Sequence, residues 1–273
     1  MTSPAAAAPP DLCRYHVEEG VAILTLHNPP ANTYSYEMMQ ALDAAILRAR
    51  MDEGVHVIVL TGDGEKFFCA GADIAMLDRV SPAFKYAFCL HANETLLRLE
   101  QTPKLVIAAI NGHCVGGGLE VAMAADLRVA PAGATFKLGL PEVALGVLPG
   151  TGGTQRLPRL LGAARALELM VKGQNFNVEQ AHALGLINDL LAPKPGQSFR
   201  DAALAYARGF CPPERAAMAI GRIKRAVQTG SELPLSAGLS LERELQQQLF
   251  QSADAKEGIG AYVQKRPARF AGK

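Results

Sequence analysis

Ile110-Asn111-Gly112-His113-Cys114-Val115-Gly116-Gly117-Gly118-Leu119-Glu120 is the stretch on which the fold turns. It follows the apolar run Leu105–Ile110, which reads as a buried strand. It leads into Val121–Ala125, whose alanine content reads as a helix. Gly116, Gly117 and Gly118 thus occupy a strand-to-helix turn. Without a Cβ, they let a ligand come up against the backbone. The first amides of a helix have no internal partners and carry partial positive charge. They suit an oxygen bearing negative charge. Glu120 lies about one helical turn beyond Gly117, so a carboxylate and a free N–H face the same spot. The stretch also has a purely structural reading. Glycine-rich turns often only allow close packing, and Glu in a first helical turn is favoured by the dipole alone.

Two further stretches point the same way. Phe68-Cys69-Ala70-Gly71-Ala72-Asp73-Ile74 has small residues at 69–72 and an Asp suited to opening a short helix. The amide of Ala72 is a second free donor at a second helix start, and two such N–H groups converging on one point make an oxyanion hole. Leu140-Pro141-Glu142-Val143 supplies a second buried-looking carboxylate, its backbone fixed by the preceding proline. The glycines of Gly150-Thr151-Gly152-Gly153 look like a phosphate loop but lack its lysine, and read as close packing at a helix start. With no G-x-S-x-G elbow, a serine hydrolase of that type is excluded.

The remaining chain alternates strand and helix. Arg14–Glu18 and Val21–His27 read as a hairpin turning at Glu19-Gly20. Tyr36–Met51 is an amphipathic helix and Val55–Leu60 a buried strand. A helix follows over Pro82–Glu100, then short strands at Leu127–Ala130 and Ala134–Leu138. Helices cover Thr151–Leu161, Ala163–Val171 and Val178–Leu184, and Ile187–Leu191 is a last strand. This order predicts an α/β fold with parallel strands and right-handed crossovers. No internal repeat is visible. Beyond Pro193-Lys194-Pro195-Gly196 only helical periodicity remains, from Phe199 to Lys265. The chain therefore divides into a disordered Ala/Pro-rich tail at 1–10, an α/β core at 11–196 and a helical region at 197–273.

Composition narrows the function. A formal net charge of +1 gives no reason to expect nucleic acid or a membrane surface as partner. The five cysteines show no C-x-x-C spacing and the six histidines no ligand spacing, so reduced thiols and no metal site are expected. The first ten residues have neither a basic region nor an apolar run, and no apolar run reaches spanning length. A cytoplasmic protein is the expectation.

Taken together, Phe68–Ile74, Asn111–Glu120 and Leu140–Leu157 resemble the three signature segments of the crotonase superfamily, specifically the enoyl-CoA hydratases. The resemblance runs from the first hairpin to the last helix. It implies a spiral of ββα turns with two near-perpendicular sheets, a helical C-terminal trimerisation region and acyl-CoA substrates. By matching position, Ala72 and Gly117 supply the oxyanion N–H groups, and Glu120 and Glu142 are the two catalytic glutamates. The carbonyl of Ala70 meets the adenine of CoA, with Asp73 and Ile74 beside it, and Lys66 lies near the nucleotide. Tyr262 and Lys265 reach the CoA of a neighbouring subunit in a homotrimer or dimer of trimers. Ala75 departs from relatives that carry Lys there. Hydration of a 2-enoyl thioester is implied, with coenzyme A as part of the substrate and no separate cofactor. The rivals are an enoyl-CoA isomerase or branched-chain hydratase of the same superfamily and, from another class, an RNA-binding or assembly protein on this fold.

Overall fold

Glu19 and Gly20 both take positive φ, 47° and 79°, the geometry that matches the twist of a two-residue hairpin. They join β1 (Cys13–Glu18) to β2 (Val21–Leu26) in the expected antiparallel pair. The computed structural model describes residues 11–273; the disordered tail expected at 1–10 lies outside the described residues. Helix α1 spans Tyr36–Met51, capped by the Ser35 side chain, which accepts from the Met38 N–H. It buries Met38, Met39, Leu42 and Ile46 along one face.

From there the chain winds. β3 (Val57–Gly62) is followed by β4 (Phe67–Cys69), then α2 (Ile74–Leu77) and α3 (Pro82–Glu100). β5 (Leu105–Ala109) is followed by β6 (His113–Val115), then α4 (Gly117–Met123). β7 (Leu127–Pro131) is followed by β8 (Leu138–Gly139), a 3-10 turn at Glu142–Leu145, and α5 (Gly153–Leu161). In each turn the first strand joins one sheet and the second strand joins another. After α6 (Ala163–Lys172), β9 (Asn175–Phe176), α7 (Val178–Ala183) and β10 (Asp189–Leu191), the sheets read β1-β2-β3-β5-β7-β10 and β4-β6-β8-β9. Pairing is parallel from β2 to β10 and from β4 to β8. The ββα spiral is thus a structural repeat that left no repeat in the sequence.

The larger sheet is buried on both faces, as its near-continuous apolar strands require. Ile58, Leu60, Val106 and Ala108 face α1 and α3 within one core cluster. Val57, Val59, Leu105 and Ile107 face a second cluster closed by Ala203, Leu204 and Ala207 of α8 (Phe199–Arg208). The helical region continues with α9 (Ala217–Gly230), α10 (Leu235–Phe250) and α11 (Ala253–Val263). Several strand ends differ from the sequence reading: the strands expected at Val21–His27, Leu105–Ile110 and Ile187–Leu191 are shorter, and β6 intervenes between Leu105–Ala109 and the glycine turn. The strand expected at Val55–Leu60 runs Val57–Gly62, because its partners in β2 and β5 set the register. The strand expected at Ala134–Leu138 shrinks to Leu138–Gly139, the only two residues that pair with both β6 and β9.

Candidate active site

β4, β6 and β8 are adjacent parallel strands, so their C-terminal ends lie side by side. Each is followed by a helix start, and the three signature segments occupy those three positions in successive turns. Ligands in such sheets sit beyond the carboxyl ends of the strands. Topology therefore brings Ala72, Gly117 and Glu142 together without sequence proximity.

The two donor segments touch. A Cβ on Gly71 would lie 3.1 Å from the Gly117 nitrogen, so the backbone before Ala72 packs against the start of α4. Neither the Ala72 nor the Gly117 N–H donates a hydrogen bond among the described residues. Asp73 caps α2, its Oδ1 accepting from Ala75 N at 2.9 Å and Met76 N at 3.2 Å. Gly116 has φ +56, and a Cβ there would approach Glu142 Oε1 to 3.1 Å. Glycine meets both the conformational and the steric demand at this position.

Glu120 is 2% exposed, on the first turn of α4. Its Oε1 accepts from Thr151 N at 2.8 Å and Gly153 N at 2.6 Å. The glycine run at 150–153 therefore does more than pack closely: its amides, at the start of α5, hold a carboxylate. Burial pushes the Glu120 pKa up to about 7. The Gly153 and Thr151 N–H bonds and the charge of Arg156 pull it back, and Glu142 adds repulsion. Glu142 is partly buried, its pKa raised by that burial, and its Oε2 is enclosed with no hydrogen-bond partner among the described residues. The more enclosed Glu120 is the member of the pair that pays for the shared location, since Glu142 keeps part of its solvation. An ionised Glu142 therefore favours the protonated form of Glu120.

The other expected contacts lie further out. Lys66 is exposed ahead of β4, its ammonium 5.5 Å from the Phe67 ring centroid. The Ala70 N–H donates to Ala31 at 3.0 Å, its carbonyl accepts nothing among the described residues, and Ile74 is exposed beside them. Tyr262, 86% exposed, and Lys265 lie at the end of α11 and are not joined by any hydrogen bond among the described residues to the glutamate cluster. A cavity of about 940 Å³ opens beside the Glu120-holding loop. Leu97, Leu148, Gly150, Arg156 and Arg222 line it, and none of Ala72, Gly117, Glu120 or Glu142 does.

Two residues of the site carried no signal in the sequence reading. Tyr34, just before α1, is buried with its hydroxyl 2.9 Å from Thr151 Oγ1. Thr151 belongs to the glycine run at an expected helix start, and the sequence assigns its side chain no role. A buried phenol beside a glycine-rich turn is visible only in three dimensions.

Known proteins resemble this chain over nearly its whole length. The family model for enoyl-CoA hydratase/isomerase matches residues 16–273. A probable enoyl-CoA hydratase of Bacillus subtilis is 38% identical over 94% of this chain and 97% of its own. A short-chain-enoyl-CoA hydratase of Clostridium acetobutylicum is 35% identical over 91% and 93% respectively. Among solved structures, an enoyl-CoA hydratase of Geobacillus kaustophilus superposes with a TM-score of 0.90 at 42% identity, covering 96% of this chain and 97% of that one. With its two-sheet spiral, its paired glutamates and matches of this extent, the chain belongs to the enoyl-CoA hydratase/isomerase family.

Proposed function

We propose that the protein hydrates 2-enoyl-CoA thioesters to 3-hydroxyacyl-CoA, as in fatty-acid β-oxidation or related acyl-CoA catabolism. One observation carries the reading: two unengaged N–H groups and two carboxylates meet beyond the ends of three adjacent strands. The thioester oxygen takes the N–H groups of Ala72 and Gly117. Charge that develops there as the enolate forms is stabilised by preorganised donors, each typically worth ~3 kcal/mol. Glu120 and Glu142 hold a water over the double bond. One accepts a proton from it as the hydroxyl adds to C3, and the other gives a proton to C2. One proton is taken and one given, so the pair ends with its starting count. A Glu120 carboxyl near 7 sits where transfer in either direction costs little at neutral pH.

Lys66, Ala70, Asp73 and Ile74 receive the CoA moiety, and Tyr262 and Lys265 reach the CoA of a neighbouring subunit. That last assignment requires assembly into a trimer or a dimer of trimers. Val227, Leu235, Leu239 and Phe250, exposed on α9 and α10, support it. The balanced charge and the absence, among the described residues, of a helix long and apolar enough to cross a membrane fit a cytoplasmic location. The test is loss of the enoyl-thioester absorbance with crotonyl-CoA, a choice guided by the short-chain name of one relative. A well-folded protein inactive on short, medium and branched 2-enoyl-CoAs ends the proposal. Light scattering that gives a fully active monomer removes Tyr262 and Lys265 from the site.

A further inference from the structure

Tyr34 is one residue in contact with all three parts of the site. Its backbone forms a parallel bridge with Ala72. The Tyr34 N–H donates to the Gly71 carbonyl at 2.9 Å, and its own carbonyl accepts from Asp73 N at 3.0 Å. That pairing turns the Ala72 N–H away from Tyr34, leaving it free. The side chain, 2% exposed, crosses to α4, where its hydroxyl lies 2.0 Å from the point a Cβ on Gly117 would occupy. The same hydroxyl meets Thr151 Oγ1 at 2.9 Å, and the Thr151 N–H donates to Glu120 Oε1 at 2.8 Å.

A tyrosine that only filled the core would not need its hydroxyl there. Burying a phenol beside an ionisable carboxyl costs free energy unless the hydroxyl is paired. Phe88, at 6.0 Å between ring centroids, would pack against a phenylalanine equally well. The hydroxyl instead bonds the loop that holds Glu120 while abutting the helix that carries a free donor. We propose that Tyr34 is a positioning residue, fixing the Glu120 carboxylate relative to the Ala72 and Gly117 donors through the chain Tyr34 hydroxyl, Thr151, Glu120. Its catalytic consequence rests on the hydration reading above; its effect on Glu120 does not.

Tyr34→Phe keeps the ring and removes the bond. Thr151 is then held less firmly, and its N–H supports the ionised Glu120 less well. The kcat for hydration falls about tenfold with KM little changed, and Glu120 titrates higher by roughly half a pH unit. The other groups acting on Glu120 stay in place: Glu142 on the 3-10 turn, Arg156 on α5 and the Gly153 N–H. Cys69 of β4 and Cys89 of α3 face Tyr34 rather than Glu120 and are unaltered. The titration is read in the ligand-free protein from the infrared band of the protonated carboxyl that disappears in Glu120→Gln. Thr151→Val breaks the same bond from its other end and gives the same shift, including where Tyr34→Phe does not fold. Thr151→Ser restores the wild-type value. The double variant shifts no further than either single one, because both remove one interaction. An unmoved Glu120 titration in either variant, or additive shifts in the double, overturns the assignment. A shifted titration in a protein that hydrates no enoyl-CoA leaves Tyr34 as a positioning residue and refutes the reaction instead.

Discussion

Consider Glu120→Gln, with stability rather than turnover as the readout. Glutamine preserves the shape, and its Oε1 still accepts from Thr151 and Gly153. What it removes is the ability to ionise. Burial raises the Glu120 pKa in the folded protein from 4.5 to about 7, whereas in the unfolded chain the group has its ordinary value. Between those two pH values the folded state holds a proton that the unfolded state has lost, so wild-type stability falls as pH rises through the window. The rise, at ~1.4 kcal/mol for each pH unit, amounts to roughly 3 kcal/mol when complete. Glutamine escapes that cost. Urea unfolding at about pH 8.5 should find Glu120→Gln more stable than wild type by this order. At about pH 5 the gap should shrink below about 1 kcal/mol. A gap of the same size at both pH values, or a wild type that is the more stable at alkaline pH, would show that Glu120 is not a destabilised carboxyl. The role given to it would then lose its physical basis. The same substitution should lower kcat sharply, so one change raises stability and removes activity.

Other substitutions test the remaining parts. Glu142→Gln, like Glu120→Gln, should lower kcat for crotonyl-CoA hydration by at least ~10²-fold with folding intact, measured by steady-state kinetics alongside circular dichroism. Near-wild-type turnover in either would mark that glutamate as structural. Gly117→Ala places a Cβ 2.0 Å from the Tyr34 hydroxyl and should abolish turnover by displacing the donor helix from within, not by obstructing the ligand. Gly118→Ala instead meets the Cys69 carbonyl at 2.0 Å and should destabilise the fold by about 1–3 kcal/mol in urea unfolding. Lys265→Ala should raise KM for CoA thioesters and leave kcat nearly unchanged, since it removes binding remote from the reacting carbons.

Long elements with a clear period were legible in the sequence. The bounds read for Tyr36–Met51 and Pro82–Glu100 match α1 and α3, whose serine caps and apolar faces are local features. The second sheet was not legible residue by residue. β8 and β9 have two residues each and β4 has three, too few to show alternation, and their pairing is set by the turns of the spiral. Glu120 and Glu142 were legible because each lies in a segment that matches a family signature, Glu120 one helical turn past Gly117 and Glu142 directly after Pro141. Tyr34 gave no such signal, since its partners Ala72, Gly117 and Thr151 are distant in sequence.

The Gly150–Gly153 run shows how a correct local reading can miss its purpose. The run resembles a phosphate loop without the lysine, and that comparison is physically apt. A helix start with free amides does hold an anion here, but the anion is the protein's own Glu120. Two neutral donors offset part of the burial cost and leave the pKa near 7. A lysine at the same place would hold the carboxylate ionised through the neutral range, removing the proton that acid/base chemistry must be able to take up and return. Arg156, the cation whose charge acts on Glu120, is instead paired with Glu100 at 2.9 Å. That ion pair limits how far the guanidinium lowers the Glu120 pKa. It follows that Glu100→Gln, which frees the Arg156 charge, should move the Glu120 titration down toward the ordinary carboxylate range. The infrared band of the protonated Glu120 reads this directly. A band that holds its midpoint in Glu100→Gln would mean that Arg156 is screened from Glu120, and that burial and the two amides alone set its proton affinity.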